Sequence, residues 1–204
     1  MAFKKGVPIL EWSPPRRAEL IDARGVMTSR VIKFSSVSKV SEIVSVLSSN
    51  DHQHNGFPVV DADTGKYLGL ILRSHLLLIL KFKRFFDPFG STPAEIITPN
   101  EIRSSYPRFF PIEHCRVTDD EMNLSVDLSP YFNQSANVVT ERATLGSIFR
   151  LFRSLGLRHV VVVDSDMRPI GIVTRKDISR FRDHKNYVER LPIDRFENSS
   201  VHYD

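Results

Sequence analysis

The sequence predicts an α/β protein built from two similar β-α-β-β-α repeats packed about a pseudo-twofold axis. Two observations support this prediction. The two halves of the chain are similar to each other, and apolar runs of strand length alternate with segments whose apolar residues recur at helical spacing. Phe57-Pro-Val-Val-Asp matches Val160-Val-Val-Val-Asp, and Leu68-Gly-Leu-Ile-Leu-Arg matches Ile170-Gly-Ile-Val-Thr-Arg. Self-similarity of this kind indicates a duplicated unit. Each repeat alone is too small to bury its sheet face well, so the two are expected to pack together.

Repeat 1 is predicted over residues 22–86. Residues 35–38 read as a polar bend, and a hairpin loop over residues 61–66 contains Gly65 as its permissive residue. Proline is tolerated near the start of a strand, which allows a buried strand containing Pro58. The expected elements are, in order, a strand over 31–34, a helix carrying Val40, Ile43, Val44 and Leu47, strands over 57–60 and 67–72, and a closing helix over 73–86.

Repeat 2 is predicted over residues 131–186 and follows the same order. A strand over 137–139 precedes a helix that Thr144 can cap. Strands over 160–163 and 170–173 flank a polar turn, and a last helix begins at residues 174–177. Thr174 can cap that helix, whose unpaired amide groups make a natural site for a phosphate or hydroxyl group.

Three further segments lie outside the repeats. Residues 1–21 are predicted as a linker, residues 187–204 as a flexible tail, and residues 87–130 as a proline-rich linker between the repeats. Within that linker, the acidic residues 119–121 read as a solvated loop. The linker is longer than the usual connection in a compact domain.

The composition is that of a soluble globular protein. The 28 Lys and Arg residues exceed the 24 Asp and Glu residues by a mild +4, and they are spread along the chain, so no nucleic-acid partner is predicted. Proximity to an anionic membrane surface would explain this charge equally well. One cysteine, Cys115, excludes an internal disulfide framework and suits a reducing compartment.

The two repeats, with Gly-Phe-Pro-Val-Val from Gly56 and Gly-Ile-Val-Thr-Arg-Lys-Asp from Gly171, resemble a tandem pair of CBS domains. Gly-Val-Pro-Ile-Leu-Glu-Trp from Gly6 resembles the segment that follows the last membrane helix in CLC chloride channels and chloride/proton exchangers. Further motifs are similar to the lysosomal/vacuolar branch of that family: His54-Asn-Gly-Phe-Pro-Val-Val, Leu70-Ile-Leu-Arg-Ser, Tyr106-Pro-Arg-Phe, Asp127-Leu-Ser-Pro-Tyr-Phe-Asn and Leu155-Gly-Leu-Arg-His.

The CLC resemblance implies a cytosolic fragment that regulates chloride transport without transporting chloride itself, since the family's membrane-embedded motifs have no counterpart in these residues. The implied parent is a voltage-gated chloride channel or a chloride/proton antiporter. Its implied partners are the membrane region of such a transporter and a second copy of the chain, as a homodimer. The implied location is the cytosolic face of an endolysosomal or vacuolar membrane.

The resemblance also implies one adenine-nucleotide site between the two CBS repeats, for ATP, ADP or AMP, with no metal required. Asp177 would accept from the ribose hydroxyls, and Thr174 with the helix-start amides would face phosphate. Repeat 1 has Leu72-Arg-Ser-His where repeat 2 has Thr174-Arg-Lys-Asp, so only one nucleotide per chain is expected. The site residues carried over by motif are His54, Asn55, Gly56, Phe57, Pro58, Val59, Val60, Thr174, Arg175, Lys176 and Asp177.

Simpler interpretations stay open for several of these residues. Asp177 can serve only to complement the helix dipole, Phe57 and Val59 can be core residues, and His54 can be a turn residue. His54 or Phe57 would stack on the base if the site is real. Gly56 would let the backbone approach the base closely. Either Arg175 or Lys176 would reach phosphate.

No catalytic function is predicted. The sequence contains no Gly-x-x-x-x-Gly-Lys phosphate loop and no His-Glu-x-x-His metal motif. Two alternatives to nucleotide-dependent regulation of a CLC protein remain, namely a structural dimerisation and assembly module that holds no nucleotide, and a regulatory CBS insert of a metabolic enzyme. The CLC-like motifs at residues 6–12 and 106–132 argue against the second.

Overall fold

The structure is a computed structural model, and it describes residues 13–14, 18–49, 55–90, 95–105 and 111–183. The chain divides into two compact units, each assembled from separate segments. The smaller, here called the minor unit, comprises the described parts of residues 1–27, 141–159 and 173–204. The larger, the major unit, comprises those of residues 28–140 and 160–172.

The first sheet of the major unit is centred on strand β3 (Gly56–Val60), whose five residues are all buried. It pairs in parallel with β1 (Phe34–Ser35) and antiparallel with β4 (Tyr67–Leu72). β1 meets β3 only at Val59 and Val60. Pro58 therefore lies where β3 has no β1 partner, which is how a buried strand accommodates a residue without an N–H group.

The predicted first strand and polar bend were placed incorrectly. The strand expected over 31–34 is instead β1, Phe34–Ser35, and the expected bend over 35–38 is largely a second strand, β2 (Val37–Lys39). β2 pairs antiparallel with β5 (Ser125–Asp127). The distant β5 supplies the hydrogen-bond partners that make an extended backbone favourable there, and local sequence does not reveal such a partner.

Two helices complete this part of the major unit. Helix α1 (Val40–Ser48) buries Val40, Ile43 and Leu47, and α2 (Arg73–Lys81) buries its five residues 76–80. The helix predicted over 73–86 is five residues too long. Lys83 has φ of 50°, a left-handed conformation that cannot continue a right-handed helix.

The segment between the repeats is folded onto the major unit. It contains helix α3 (Pro99–Ser104), a 3-10 turn (Ile112–His114), helix α4 (Asp119–Met122) and β5. Its residues Ile97, Val126 and Leu128 belong to the same buried core as β3, α1 and α2. The prediction of a loop over 119–121 was wrong, because Thr118 and Glu121 form a capping box that starts a helix there.

The third sheet has the order β6 (Val138–Thr140), β7 (His159–Val163) and β8 (Pro169–Thr174). β6 runs parallel to β7, with Val138 opposite Val161. Val161, Val163 and Ile172 form a second apolar cluster of the major unit, packed against Val31, Tyr67, Leu70 and Val138. The strands predicted from the apolar runs at 160–163 and 170–173 are confirmed.

The described part of the minor unit is mainly helical, and it also contains His159 of β7 and the last two residues of β8. It contains 3-10 turns at Ala18–Leu20 and Ala23–Gly25, helix α5 (Leu145–Leu155) and helix α6 (Arg175–Asp183). The predicted cap of α5 is confirmed, since Ser147 N donates to Thr144 Oγ1 at 3.2 Å. Gly156, with φ of 63°, ends α5 in a left-handed conformation. Of the helices described, none is long and apolar enough to span a bilayer.

Candidate nucleotide site

The first half of the predicted site is strand β3 in the major unit. Phe57 and Val59 are 1% and 0% exposed, and Phe57 packs edge-to-face on Phe34 with ring centroids 5.4 Å apart. These two side chains are core residues, as the simpler interpretation held. What this strand can offer a ligand is its backbone, because β1 covers only Val59 and Val60 and leaves the Gly56–Pro58 stretch without a strand partner on that side among the described residues.

The loop before β3 is tied to the start of α2. Asn55 is exposed, and its carbonyl accepts from Arg73 N at 3.0 Å. This bond fixes where the chain enters β3. His54, the predicted stacking residue, lies outside the described residues.

The second half of the site is the junction of β8 and α6 in the minor unit. Thr174 N and Thr174 Oγ1 both donate to Asp177 Oδ2, at 2.8 and 2.7 Å. Asp177 N returns a bond to Thr174 Oγ1 at 3.4 Å. This reciprocal arrangement is a capping box, and it confirms that Thr174 caps the helix. It holds the Asp177 carboxylate, half-buried, at the positive end of the α6 dipole.

Arg175 and Lys176 have different surroundings. Arg175 Nε donates to the carbonyl of Leu157, just after α5, at 2.7 Å, and the residue is half-buried. Lys176 is exposed. Of the two cations considered for phosphate, Arg175 is therefore engaged with the protein's own backbone, whereas the Lys176 side chain reaches solvent.

Arg73 makes the corresponding contact in repeat 1. Its guanidinium Nη2 donates to the carbonyl of Leu47, in the last turn of α1. Burial lowers the pKa of Arg73. In both repeats, then, the first residue of the second helix ties that helix to the carboxyl end of the first. Sequence reasoning found the matching arginines but missed this role.

The two repeats differ at the position of the carboxylate. Leu72, the residue before α2, provides no side-chain cap. His75 occupies the position of Asp177, and its Nδ1 lies 2.9 Å from the carbonyl oxygen of Tyr131. The polar side chain of repeat 1 is thus bound to the first residue of repeat 2. Of the second helices of the two repeats, α2 and α6, only α6 has a carboxylate in its first turn.

The two halves of the predicted site belong to different compact units. The structure brings Gly56 to Val60 together in β3, and it brings Thr174 and Asp177 together at the start of α6. No group of three or more potential metal ligands occurs in the ranges that the structure describes. A separate pocket of about 250 Å³ in the major unit, lined by Arg84, Asp127 and Tyr131 among others, contains none of the predicted residues.

Comparison with known proteins identifies the family. The CBS domain model matches residues 23–81 and 131–184, more than half of the chain. Over 194 residues the chain is 42% identical to H(+)/Cl(-) exchange transporter 7 of Bos taurus and 40% identical to that of Homo sapiens. Each match covers 93% of this chain and 24% of the relative. Chloride channel protein CLC-d of Arabidopsis thaliana is 38% identical over 188 residues, 85% of this chain and 23% of the relative.

These relatives confirm the resemblance to CLC proteins, although the chain spans only about a quarter of their length. Among solved structures, AcuB from Vibrio cholerae matches with a TM-score of 0.53 at 16% identity, covering 84% of this chain and 98% of that one. The cytosolic domain of the Mg2+ channel MgtE, solved with ATP, matches with a TM-score of 0.51 at 17% identity, covering 79% and 48%. Both likenesses concern the fold, and they confirm the predicted α/β pair. The chain belongs to the CBS-domain family, as a tandem CBS pair.

Proposed function

We propose that this chain is the cytosolic regulatory domain of a CLC-type chloride channel or chloride/proton antiporter, and that it binds one adenine nucleotide. Similarity to exchange transporter 7 along 93% of the chain supports the first part. The observation that carries the second is the Thr174–Asp177 capping box, which holds a carboxylate at the start of α6 in one repeat only. The MgtE domain, a fold neighbour, was solved with ATP.

The capping box prepares Asp177 for a ribose. Among the described residues, every hydrogen bond of the carboxylate uses Oδ2, and both donors come from Thr174. These bonds fix the side chain and leave Oδ1 to accept from ribose hydroxyls. A hydrogen bond to a charged group contributes about 1.5–3 kcal/mol. Phosphate would lie near the helix-start amides, within reach of exposed Lys176.

Strand β3 offers backbone hydrogen-bonding groups to which the base could bind. Adenine carries an amino donor and ring-nitrogen acceptors, so a stretch of strand backbone without a partner can bond to it as it would to another strand. Gly56–Pro58 pairs with β4 on one side, and among the described residues its other side, towards β1, has no strand partner. Because Gly56 has no side chain, the base can come close to this backbone.

Regulation would follow from a population shift. A nucleotide that binds one conformation of the pair more tightly favours that conformation, and the attached membrane region responds to it. Millimolar affinity corresponds to about 4 kcal/mol of binding free energy, which is enough when the two conformations differ only modestly in free energy.

The proposed partners are that membrane region and a second copy of the chain, at the cytosolic face of an endolysosomal or vacuolar membrane. The proposal gives the chain no enzymatic activity and requires no metal.

The decisive experiment is calorimetric titration of the chain with ATP, ADP and AMP, beside Asp177→Asn. Asparagine keeps the size and the capping acceptor but removes the charge, so the fold is retained. We expect the variant to bind at least about tenfold more weakly, as the loss of a charged hydrogen bond implies. Asp166→Asn, in the exposed turn before β8, is the matched control and should bind normally.

Equal affinity in Asp177→Asn and wild type would remove Asp177 from the site. No binding of any of the three nucleotides by the folded protein would overturn nucleotide regulation. That result would instead favour a structural dimerisation and assembly module.

A further inference from the structure

Residues 18–25, here called the amino-terminal latch, are bound to the start of α5. Leu145 N donates to the carbonyl of Ile21 at 2.7 Å, and Asp22 forms an antiparallel bridge with Thr144. Ala18 and Ala23 are 2% and 0% exposed. These residues fall partly in the stretch predicted as a linker, but they pack as an integral part of the minor unit.

Glu19 is the centre of the latch. Its carboxylate accepts from Thr144 Oγ1 and from Arg150 Nη1, both at 2.7 Å, and those two bonds lower the pKa of Glu19. It lies over Gly146, where an added Cβ would be 2.2 Å from Glu19 Oε1. The absence of a side chain at Gly146 is therefore what makes room for the carboxylate, which also complements the positive end of the α5 dipole.

The opposite end of α5 is connected to the candidate site. The carbonyl of Leu157, two residues after the helix ends, accepts from Arg175 Nε. Arg175 directly follows Thr174 in the chain, and it lies two residues before Asp177, the other member of the capping box. One helix thus joins Glu19 at its amino end to the Thr174–Asp177 box at its carboxyl end, all within the minor unit.

The charged contact of the latch is exposed to solvent. The side chains of Glu19 and Arg150 are 56% and 59% exposed, and exposed ion pairs of this kind stabilise a fold only slightly. The side-chain contacts of Glu19 can therefore form and break while Ala18 and Ala23 stay buried. We call the state with these contacts the docked latch, and a ligand that favours it can shift the balance.

We propose that the amino-terminal latch is coupled through α5 to the Thr174–Asp177 half of the nucleotide site. Nucleotide binding favours the docked latch, and release of the latch weakens nucleotide binding by the same factor, since such coupling is reciprocal. This inference rests on the proposed nucleotide site.

The test is amide hydrogen exchange at Leu145, whose N–H bonds to the latch, measured by NMR on the 204-residue chain with and without saturating ATP. Two variants release the latch by different routes: Glu19→Gln removes its charge, and Gly146→Ala displaces its carboxylate. Alanine also strengthens α5 relative to glycine, so weaker ATP binding in Gly146→Ala cannot come from melting of that helix. Glu113→Gln, an exposed glutamate in the major unit, is the matched control.

We expect ATP to slow exchange at Leu145 in the wild type. Both latch variants should exchange faster and bind ATP about fivefold more weakly, at the lower end of typical couplings, while Glu113→Gln behaves as wild type. ATP binding with unchanged Leu145 exchange and wild-type affinity in both variants would overturn the coupling and leave the proposed nucleotide site intact. No ATP binding by the folded wild type would overturn both.

Discussion

Arg73 and Arg175 occupy the same position in the two repeats and make the same kind of contact, each to a carbonyl near the end of the preceding helix. The sequence revealed the matching residues because they align within the repeat. It did not reveal the acceptors, which lie 26 and 18 residues away. The cap formed by Thr174 was predictable because its partner is only three residues away in the chain.

Arg175→Gln separates the structural role of this arginine from a phosphate-binding role. We expect it to lower the free energy of unfolding by about 1–2 kcal/mol, because the Leu157 carbonyl loses a charged donor. Urea unfolding measures this loss. Since Lys176 is the exposed cation, ATP affinity should fall less in Arg175→Gln than in Lys176→Gln. Unchanged stability with a larger loss of affinity in Arg175→Gln would assign Arg175 to the phosphate instead.

At the scale of elements, the sequence predicted the strands and helices of the repeats better than the segment between them. Apolar runs and helical spacing reveal elements that bury one face or both, such as β7, β8 and α5. Helices α3 and α4 have only six and four residues and contain no buried residue, so they show no such spacing. The signal that would have found them is the capping boxes Thr98-x-x-Glu101 and Thr118-x-x-Glu121.

The α3 capping box should contribute to acid sensitivity. Bonds from Thr98 N and Oγ1, with Arg84 nearby, lower the pKa of Glu101 below its ordinary 4.5. A carboxylate whose pKa is lower in the folded state stabilises the fold above its unfolded pKa and loses that effect as pH falls through its folded pKa. Thermal unfolding below pH 4.5 should therefore depend less steeply on pH in Glu101→Gln than in wild type. Identical slopes would show that Glu101 does not contribute.

Strand β4 depends on a glycine for contact with the segment that follows β5. A Cβ on Gly69 would lie 2.4 Å from Phe132 Cδ2 and 2.6 Å from the backbone oxygen of Asn133. We expect Gly69→Ala to destabilise the fold by about 1–3 kcal/mol, because backbone and ring must both move. The urea midpoint measures this effect.

Gly156→Ala serves as the comparison for Gly69→Ala. The space around Gly156 is open, so that substitution costs only the left-handed backbone conformation, about 1 kcal/mol. If Gly69→Ala lowers stability no more than Gly156→Ala does, then Phe132 and Asn133 can move away from the added methyl group at little cost in free energy.

At the scale of the whole molecule, the two repeats share one fold but differ at the proposed nucleotide site. Repeat 2 has the Thr174–Asp177 box, whereas repeat 1 has Leu72 and a His75 bound to Tyr131. This asymmetry was predictable by aligning the repeats. The latch at residues 18–25 was not, because a single glutamate and a helical glycine 127 positions apart give no local signal.

The number of ATP molecules bound per chain tests the central claim most directly. Equilibrium dialysis of the purified chain against labelled ATP, followed to saturation, measures it. One equivalent is expected, because of the two equivalent helices α2 and α6 only α6 has a first-turn carboxylate that can accept from the ribose. Two equivalents would contradict the functional asymmetry of the repeats, and no binding by the folded protein would contradict nucleotide regulation itself.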